Sequence, residues 1–448
     1  MGKLSKRLQK KMWSIHNWVG LYAGVVIAVL SITGVVALFK VEIDRLVNHD
    51  YFYIQSETKM TDQKADISPV IDSLKQVYGN ENFVLLVTPR KEHENLIVNI
   101  LERKSLLDFK AWEFFVNPYT AKIVGKRDNF RSISYFIRNL HVRLYDGLFG
   151  RYIVGLAGIA LLISTITGFW IYGNFMKKQW FATIRKKNLR ITMADYHKLI
   201  GITTLVFNLM IAITGAWIGL QGLLQQPIVG DRPGIYKAEE MQYSKEEDVT
   251  MAFDYLEAYA ASRSIFPELE PHSFAPSTDG SGVITVRGDV PRTAFERHHF
   301  QLTLDKKTLE EVHRLDIREQ SLGAKLFYIQ ESIHFGDWGG IILKMVYAFF
   351  GITSGFLALT GFVVYLKRTE NKRKDKPKFV ELKPLLLRWT YGILTIILLL
   401  MVLALSFGVA VPSLLVIICV YGTLIFLLLR TLFLFVKRKI ISKRLLTN

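Results

Sequence analysis

The chain holds 448 residues, half of them hydrophobic, with 57 lysines and arginines against 39 acids and a net charge of +18. Its apolar residues gather into blocks long enough to cross a bilayer, which sets aside a wholly water-soluble fold. The one cysteine, Cys419, excludes an internal disulfide and a thiolate zinc site of the common kind.

A helix needs about 20 apolar residues to cross a bilayer, and six stretches qualify, near 19–39, 153–172, 199–220, 341–366, 389–411 and 414–436. Residues 1–39 form a basic N-terminus and the first span, whose length and lack of a small-residue cleavage site after Phe39 predict a retained anchor. Residues 40–140 are polar enough for water, with helical spacing over 67–78 and strands over 83–88, 96–101, 112–116 and 122–124. The second span follows at 141–175, then a loop at 176–196 and the third span at 197–222. Residues 223–333 repeat the first polar plan, with a helix over 251–262 and strands over 282–287, 295–304 and 311–315. The fourth span is 334–367, followed by a loop at 368–384, a packing hairpin of two spans at 385–436 and a basic tail at 437–448.

Lysine and arginine clusters within 3–11, 177–190, 367–388 and 437–444 fall on every second side of the membrane. Cytoplasmic loops retain such charges, so both termini are expected inside and the two polar segments outside. The charge is thus mostly topology, and with no nucleic-acid-binding module beside it no nucleic-acid partner is expected. The predicted fold is an α-helical integral membrane protein of about six transmembrane helices, internally duplicated, with two small α+β domains.

The duplication is written in four histidine phrases. His16 precedes Thr33-Gly34 by 17 positions, and His197 precedes Thr214-Gly215 by 17. His141 precedes Thr167-Gly168 by 26, and His334 precedes Thr360-Gly361 by 26. Arg151 and Lys344 each fall ten positions after their histidine, and Gly158 and Gly351 seventeen after it. Seventeen helical residues span about 25 Å, close to the hydrocarbon thickness, whereas 26 would span about 39 Å. A break is therefore expected after His141 at Gly147 and Gly150, and after His334 at Gly336, Gly339 and Gly340.

If the halves pack about a pseudo-twofold axis along the membrane normal, His16 faces His197 on the inner side and His141 faces His334 on the outer. Two imidazoles across a gap are what a b-type haem needs for axial ligation, so two haems per chain are expected. Gly20 and Gly201, one turn after the inner histidines, would let a flat macrocycle approach the backbone, and Arg151 and Lys344 would partner haem propionates. Divalent-metal binding and a proton relay stand as other uses of the same imidazoles. The Thr-Gly pairs read as helix-packing features. His298, His299 and His313 lack partners in the first half and read as surface residues, and Asp195, Glu331 and Asp337 as solvated acids.

These phrases resemble the PepSY-associated transmembrane family, the iron-regulated inner-membrane proteins that include ferrisiderophore reductases. The likeness rests on His16-x3-Gly20 with Thr33-Gly34, His197-x3-Gly201 with Thr214-Gly215, the His141 and His334 phrases, and Phe115-Val-Asn-Pro-Tyr-Thr120 at a strand–turn position. It covers about residues 10–370 and leaves out the C-terminal hairpin. The resemblance implies a Gram-negative-type inner membrane, PepSY-like periplasmic domains, b-type haem and reduction of a ferric chelate in the periplasm. No Gly-x-Gly-x-x-Gly follows a strand, so the electron donor is expected to be a separate quinol, reductase or small reductant. Where the first unit has Asn117-Pro118, the second has Asp305-Lys306, which weakens any shared role of that turn.

Two other classes remain on the sequence alone. Isolated PepSY units resemble protease-inhibitory modules, so the chain could be a regulator or adaptor that binds a protease or another protein without redox chemistry. A metal or siderophore permease is the third, disfavoured by how few charges the spans carry.

Overall fold

The computed structural model describes residues 6–55, 64–79, 83–103, 109–145, 147–176, 183–230, 253–277 and 281–374. The expected hairpin at 385–436 and the basic tail lie outside the described residues. In the first half the chain runs through α1 (Lys6–Leu38), α2 (Lys40–Val47), α3 (His49–Phe52), α4 (Ser68–Tyr78), β1 (Phe83–Val87), β2 (Leu96–Arg103), β3 (Phe109–Val116), β4 (Ile123–Asp128), α5 (Ile133–Arg143) and α6 (Gly147–Met176). The second half repeats this order as α7 (Leu189–Thr203), α8 (Leu205–Ile228), α9 (Tyr255–Ile265), β5 (Glu270–Pro276), β6 (Val283–Asp289), β7 (Phe300–Asp305), β8 (Glu311–Leu315), α10 (Leu322–Phe335) and α11 (Gly340–Lys374). Contacts divide the described residues into two compact units. One takes those within 1–33, 139–219 and 350–448, the other those within 34–138 and 220–349.

Among the described residues four helices are long and apolar enough to cross a membrane: Lys6–Leu38, Gly147–Gly173, Leu205–Ile228 and Asp337–Thr369. They coincide with the first four spans read from the sequence. The predicted breaks ahead of the second and fourth are present. Leu144, Tyr145 and Gly147 adopt left-handed backbone between α5 and α6, as do Gly336 and Gly340 between α10 and α11. Gly150, by contrast, lies inside α6.

The third span differs from the expected single helix. It stops at Thr204, with φ −98° and ψ 9°, and restarts as α8. Polar groups occupy the break: the Asn208 amide donates to Thr204 Oγ1 at 2.8 Å, and the Ser354 hydroxyl donates to Asn208 Oδ1 at 2.6 Å. All three side chains are buried and satisfied, as polar groups without water must be.

Small residues set the helix packing in this unit. A Cβ added to Gly158 of α6 would lie 2.7 Å from the Ala216 backbone nitrogen of α8. One added to Gly219 would overlap Gly155, so the two backbones meet with no side chain between them. On the other side, a Cβ at Gly355 of α11 would sit 3.2 Å from Ser31 Cβ of α1. Arg368 near the end of α11 lies over the Trp13 ring near the start of α1, 5.1 Å from its centroid, so these two helices run in opposite directions. Asp195 of α7 is buried and receives Arg185 Nε at 2.9 Å and Nη2 at 2.8 Å. Those hydrogen bonds hold its carboxyl down at about 2 and staple the preceding loop to the helix.

The second unit is built on one antiparallel sheet of eight strands, ordered β4-β3-β2-β1-β5-β6-β7-β8. The order is a palindrome about β1 and β5, so the two expected α+β units are joined edge to edge. Leu86 pairs with Phe274 and Val87 with Ser273 across the seam. Each half ends its sheet alike: the Asp128 carboxylate accepts from Phe130 N–H, and the Asp316 carboxylate from Arg318 N–H. Leu86, Leu96, Val98, Phe115, Phe274, Val286 and Leu302 are fully buried. The central strand β5 is absent from the sequence reading, and it carries two prolines, Pro271 and Pro276. Both fall at its ends, where a missing N–H is tolerated.

At the seam His272 and His298 stack with ring centroids 3.6 Å apart, while His298 Nδ1 meets Asp289 Oδ2 at 2.7 Å and Arg90 reaches His298 Nε2 at 3.1 Å. Burial, then the neighbouring His298 and Arg90, push the His272 imidazole down to about 3.

Two outcomes follow from this packing. Gly219→Val should abolish a monodisperse, cooperatively melting protein in detergent. Gly173→Val, where an added Cβ meets nothing within 4 Å, should melt like the parent. His272 stays neutral in the folded sheet but takes a proton near pH 6.5 when unfolded. Stability should therefore fall as pH drops from about 6.5 toward about 3, and His272→Phe should flatten that part of the melting-temperature profile.

Candidate functional site

His16 lies nearly three turns into α1 and finds its polar partners on another helix. Its Nδ1 lies 3.0 Å from the Ser164 carbonyl oxygen and 3.2 Å from Thr167 Oγ1, both on α6. His197 of α7 does the same on α11, with Nδ1 at 3.1 Å from the Leu357 carbonyl and 3.0 Å from Thr360 Oγ1. A carbonyl oxygen can only accept, so in both rings Nδ1 carries the proton. The second nitrogen, Nε2, is thereby left with its lone pair exposed for a ligand.

The two rings come together. Their centroids are 6.1 Å apart and their planes 77° to one another. Two imidazoles on opposite sides of one metal ion, each bonded at about 2 Å, hold their centroids roughly 6 Å apart. Among the described residues no three His, Cys, Asp or Glu side chains gather as ligands for a bare ion. The pair offers two nitrogen donors only, which matches the two axial positions that an iron porphyrin leaves open. A Cβ on Gly20 would meet nothing within 4 Å, and one on Gly201 only Leu357 Cδ2 at 3.9 Å. Both glycines thus leave the room that a flat macrocycle needs beside the backbone, and the residues present fit the haem expected from the sequence.

His141 closes α5, with Nδ1 3.3 Å from Thr33 Oγ1 on α1 and a hydrogen bond to the Leu30 backbone. His334 closes α10 in the other unit, in the turn before the left-handed cap at Gly336. The Arg151 guanidinium donates to the Ile218 carbonyl from Nε at 3.0 Å and Nη2 at 2.8 Å. Lys344 Nζ is 3.0 Å from Glu42 Oε1 and 3.5 Å from Asp337 Oδ1. Both expected propionate partners therefore already hold protein acceptors.

Several residues carry more than the sequence suggested. Thr33, Thr167 and Thr360, from Thr-Gly pairs read as packing features, also meet imidazoles. An added Cβ on Gly168 would lie 3.1 Å from His16 Cε1, and one on Gly361 3.3 Å from His197 Cε1. His299, read as a surface residue, is buried, with Nε2 3.5 Å from Glu331 and its ring 5.2 Å from that of Tyr328. Glu331 and Asp337, read as solvated, share Arg297, and Asp195 belongs to Arg185 and Lys198. Spacing marks these positions, since a threonine and a glycine recur at the end of every histidine-led span, but not which imidazole each one meets.

A family model described as the PepSY-associated TM region matches residues 13–368. The uncharacterized protein PA4219 of Pseudomonas aeruginosa is 26% identical over 260 residues, an alignment that covers 51% of this chain and 62% of the relative. The chain thus spans less than two thirds of that relative's length.

Proposed function

The chain belongs to the PepSY-associated TM family, and from that premise we propose that it is an inner-membrane electron conduit holding two b-type haems and reducing a periplasmic ferric chelate. The observation that carries this reading is the His16/His197 pair, 6.1 Å between centroids with each Nδ1 bound to a backbone carbonyl. The repeat supplies the outer pair, His141 and His334, by its equal offsets.

A haem, when bound, supplies a one-electron carrier, and a chain of such carriers avoids the cost of moving an ion through hydrocarbon. The residues contribute ligation, orientation and dryness. His16 and His197 present Nε2, Gly20 and Gly201 keep the backbone out of the way, and the apolar faces of α1 and α6 exclude water. Arg151 offers a cation for a carboxylate, with Lys344 as the equivalent in the second half. One electron from a separate quinol, reductase or small reductant converts substrate Fe(III) to Fe(II), which a hard-oxygen chelate holds less tightly. The basic clusters support a reading with both termini in the cytoplasm and the two polar segments in the periplasm.

Full-length protein purified in detergent should carry about two b-type haems per chain by pyridine haemochrome. His16→Ala and His141→Ala should each remove one. A colourless preparation that takes up no haemin overturns the reading and favours a PepSY-based adaptor.

A further inference from the structure

The three histidines of the helical unit are held in one way, and the holder is always the threonine of a Thr-Gly pair on another helix. Thr167 serves His16, Thr360 serves His197, and Thr33 serves His141. For His16 and His197 the carbonyl three residues before the threonine, that of Ser164 or Leu357, joins the same imidazole nitrogen, and His141 likewise bonds the Leu30 backbone. The threonine hydroxyl spends its own proton within its helix. Thr167 donates to the Ile163 carbonyl at 2.6 Å, Thr360 to Phe356 at 3.0 Å and Thr33 to Val29 at 2.8 Å. A hydroxyl whose proton is engaged can meet the imidazole only as an acceptor, so hydroxyl and carbonyl form a two-oxygen fork around one Nδ1–H.

We infer that Thr33, Thr167 and Thr360 are positioning residues, which fix the tautomer and rotation of His141, His16 and His197 so that Nε2 is the ligating atom. Gly168 and Gly361 complete the seats of His16 and His197, because each ring edge lies against the place where a side chain would be. The inference rests on the haem reading and deepens it. The fork does two things at once. It forbids the alternative tautomer, in which two oxygens would face a bare nitrogen lone pair. It also raises the donor strength of Nε2, because an imidazole whose N–H is accepted by two oxygens is more electron-rich. Interhelical hydrogen bonding is the second consequence: each seat ties a histidine helix to a different helix, so ligand placement and bundle packing are set by the same bond.

The test uses full-length protein in detergent, with haemin as probe and two readouts, haem affinity and midpoint potential. Thr167→Val keeps the side-chain shape and deletes the accepting oxygen. It should weaken one haem by 10–100-fold and move its midpoint to a more positive value, since a less electron-rich imidazole favours the oxidised iron less. Thr167→Ser should restore both, and Thr360→Val, on the other seat of the same pair, should repeat the effect if Thr167→Val fails to accumulate. Thr165→Val is the control, because Thr165 donates to Leu161 within its own helix and touches no histidine in this way. Valine variants with parental affinity and potential overturn the seat while leaving the haem reading intact. A parent chain that binds no haemin overturns both.

Discussion

The bond from an imidazole Nδ1–H to a main-chain carbonyl on a neighbouring helix is the constraint on which the helical unit turns. A neutral histidine in an apolar bundle has one donor and one acceptor to satisfy, and leaving either bare costs free energy. Giving the donor to a fixed carbonyl, reinforced by a threonine oxygen, leaves a single unsatisfied lone pair at a defined point. In His16 and His197 those points belong to rings only 6.1 Å apart. Two nitrogen donors on rings this close are poor packing and good ligation, and that tension is the physical reason to read the pair as a place for iron.

Duplication organises everything around that bond. Repeat-related strands occupy mirror positions in the eight-stranded order, so the sheet unit carries its own pseudo-twofold relation at the β1–β5 seam. In the helical unit the same relation shows as His16 on Thr167 and His197 on Thr360. The symmetry is not complete. The break at Thr204, held by Asn208 and Ser354, has no counterpart among Ala23, Ile27 and Leu161 at the equivalent positions of the first half. The glycine contact of α6 with α8 is also one-sided, since Val35 and Leu38 stand where Ala216 and Gly219 stand in the repeat.

Much of this was legible from periodicity. Four apolar blocks announce four helices, and alternating runs announce β2, β3, β6 and β7, because burial on one face leaves a period in the chain. The histidine offsets announce the site, since a repeated interval survives only where geometry repeats. What stayed hidden depends on partners distant in sequence. Nothing local to Thr167-Gly168 says that an imidazole from α1, about 150 residues earlier, will rest on it. Nothing local to Pro271 says that β5 will sit at the middle of a sheet, because its place is fixed by pairing with β1, Phe274 against Leu86 and Ser273 against Val87. Burial of His299 likewise follows from Tyr328 and Glu331 of α10, which close over it only in three dimensions.

The central claim is that residues 16 and 197 share one centre, and haem content in the single and double variants measures it without reference to any substrate. His16→Ala, His197→Ala and the combined variant should all retain the same single haem, with the same spectrum, because each breaks one and the same ligand pair. A double variant that loses more haem than either single variant would contradict the account, since it would place the two imidazoles on different centres.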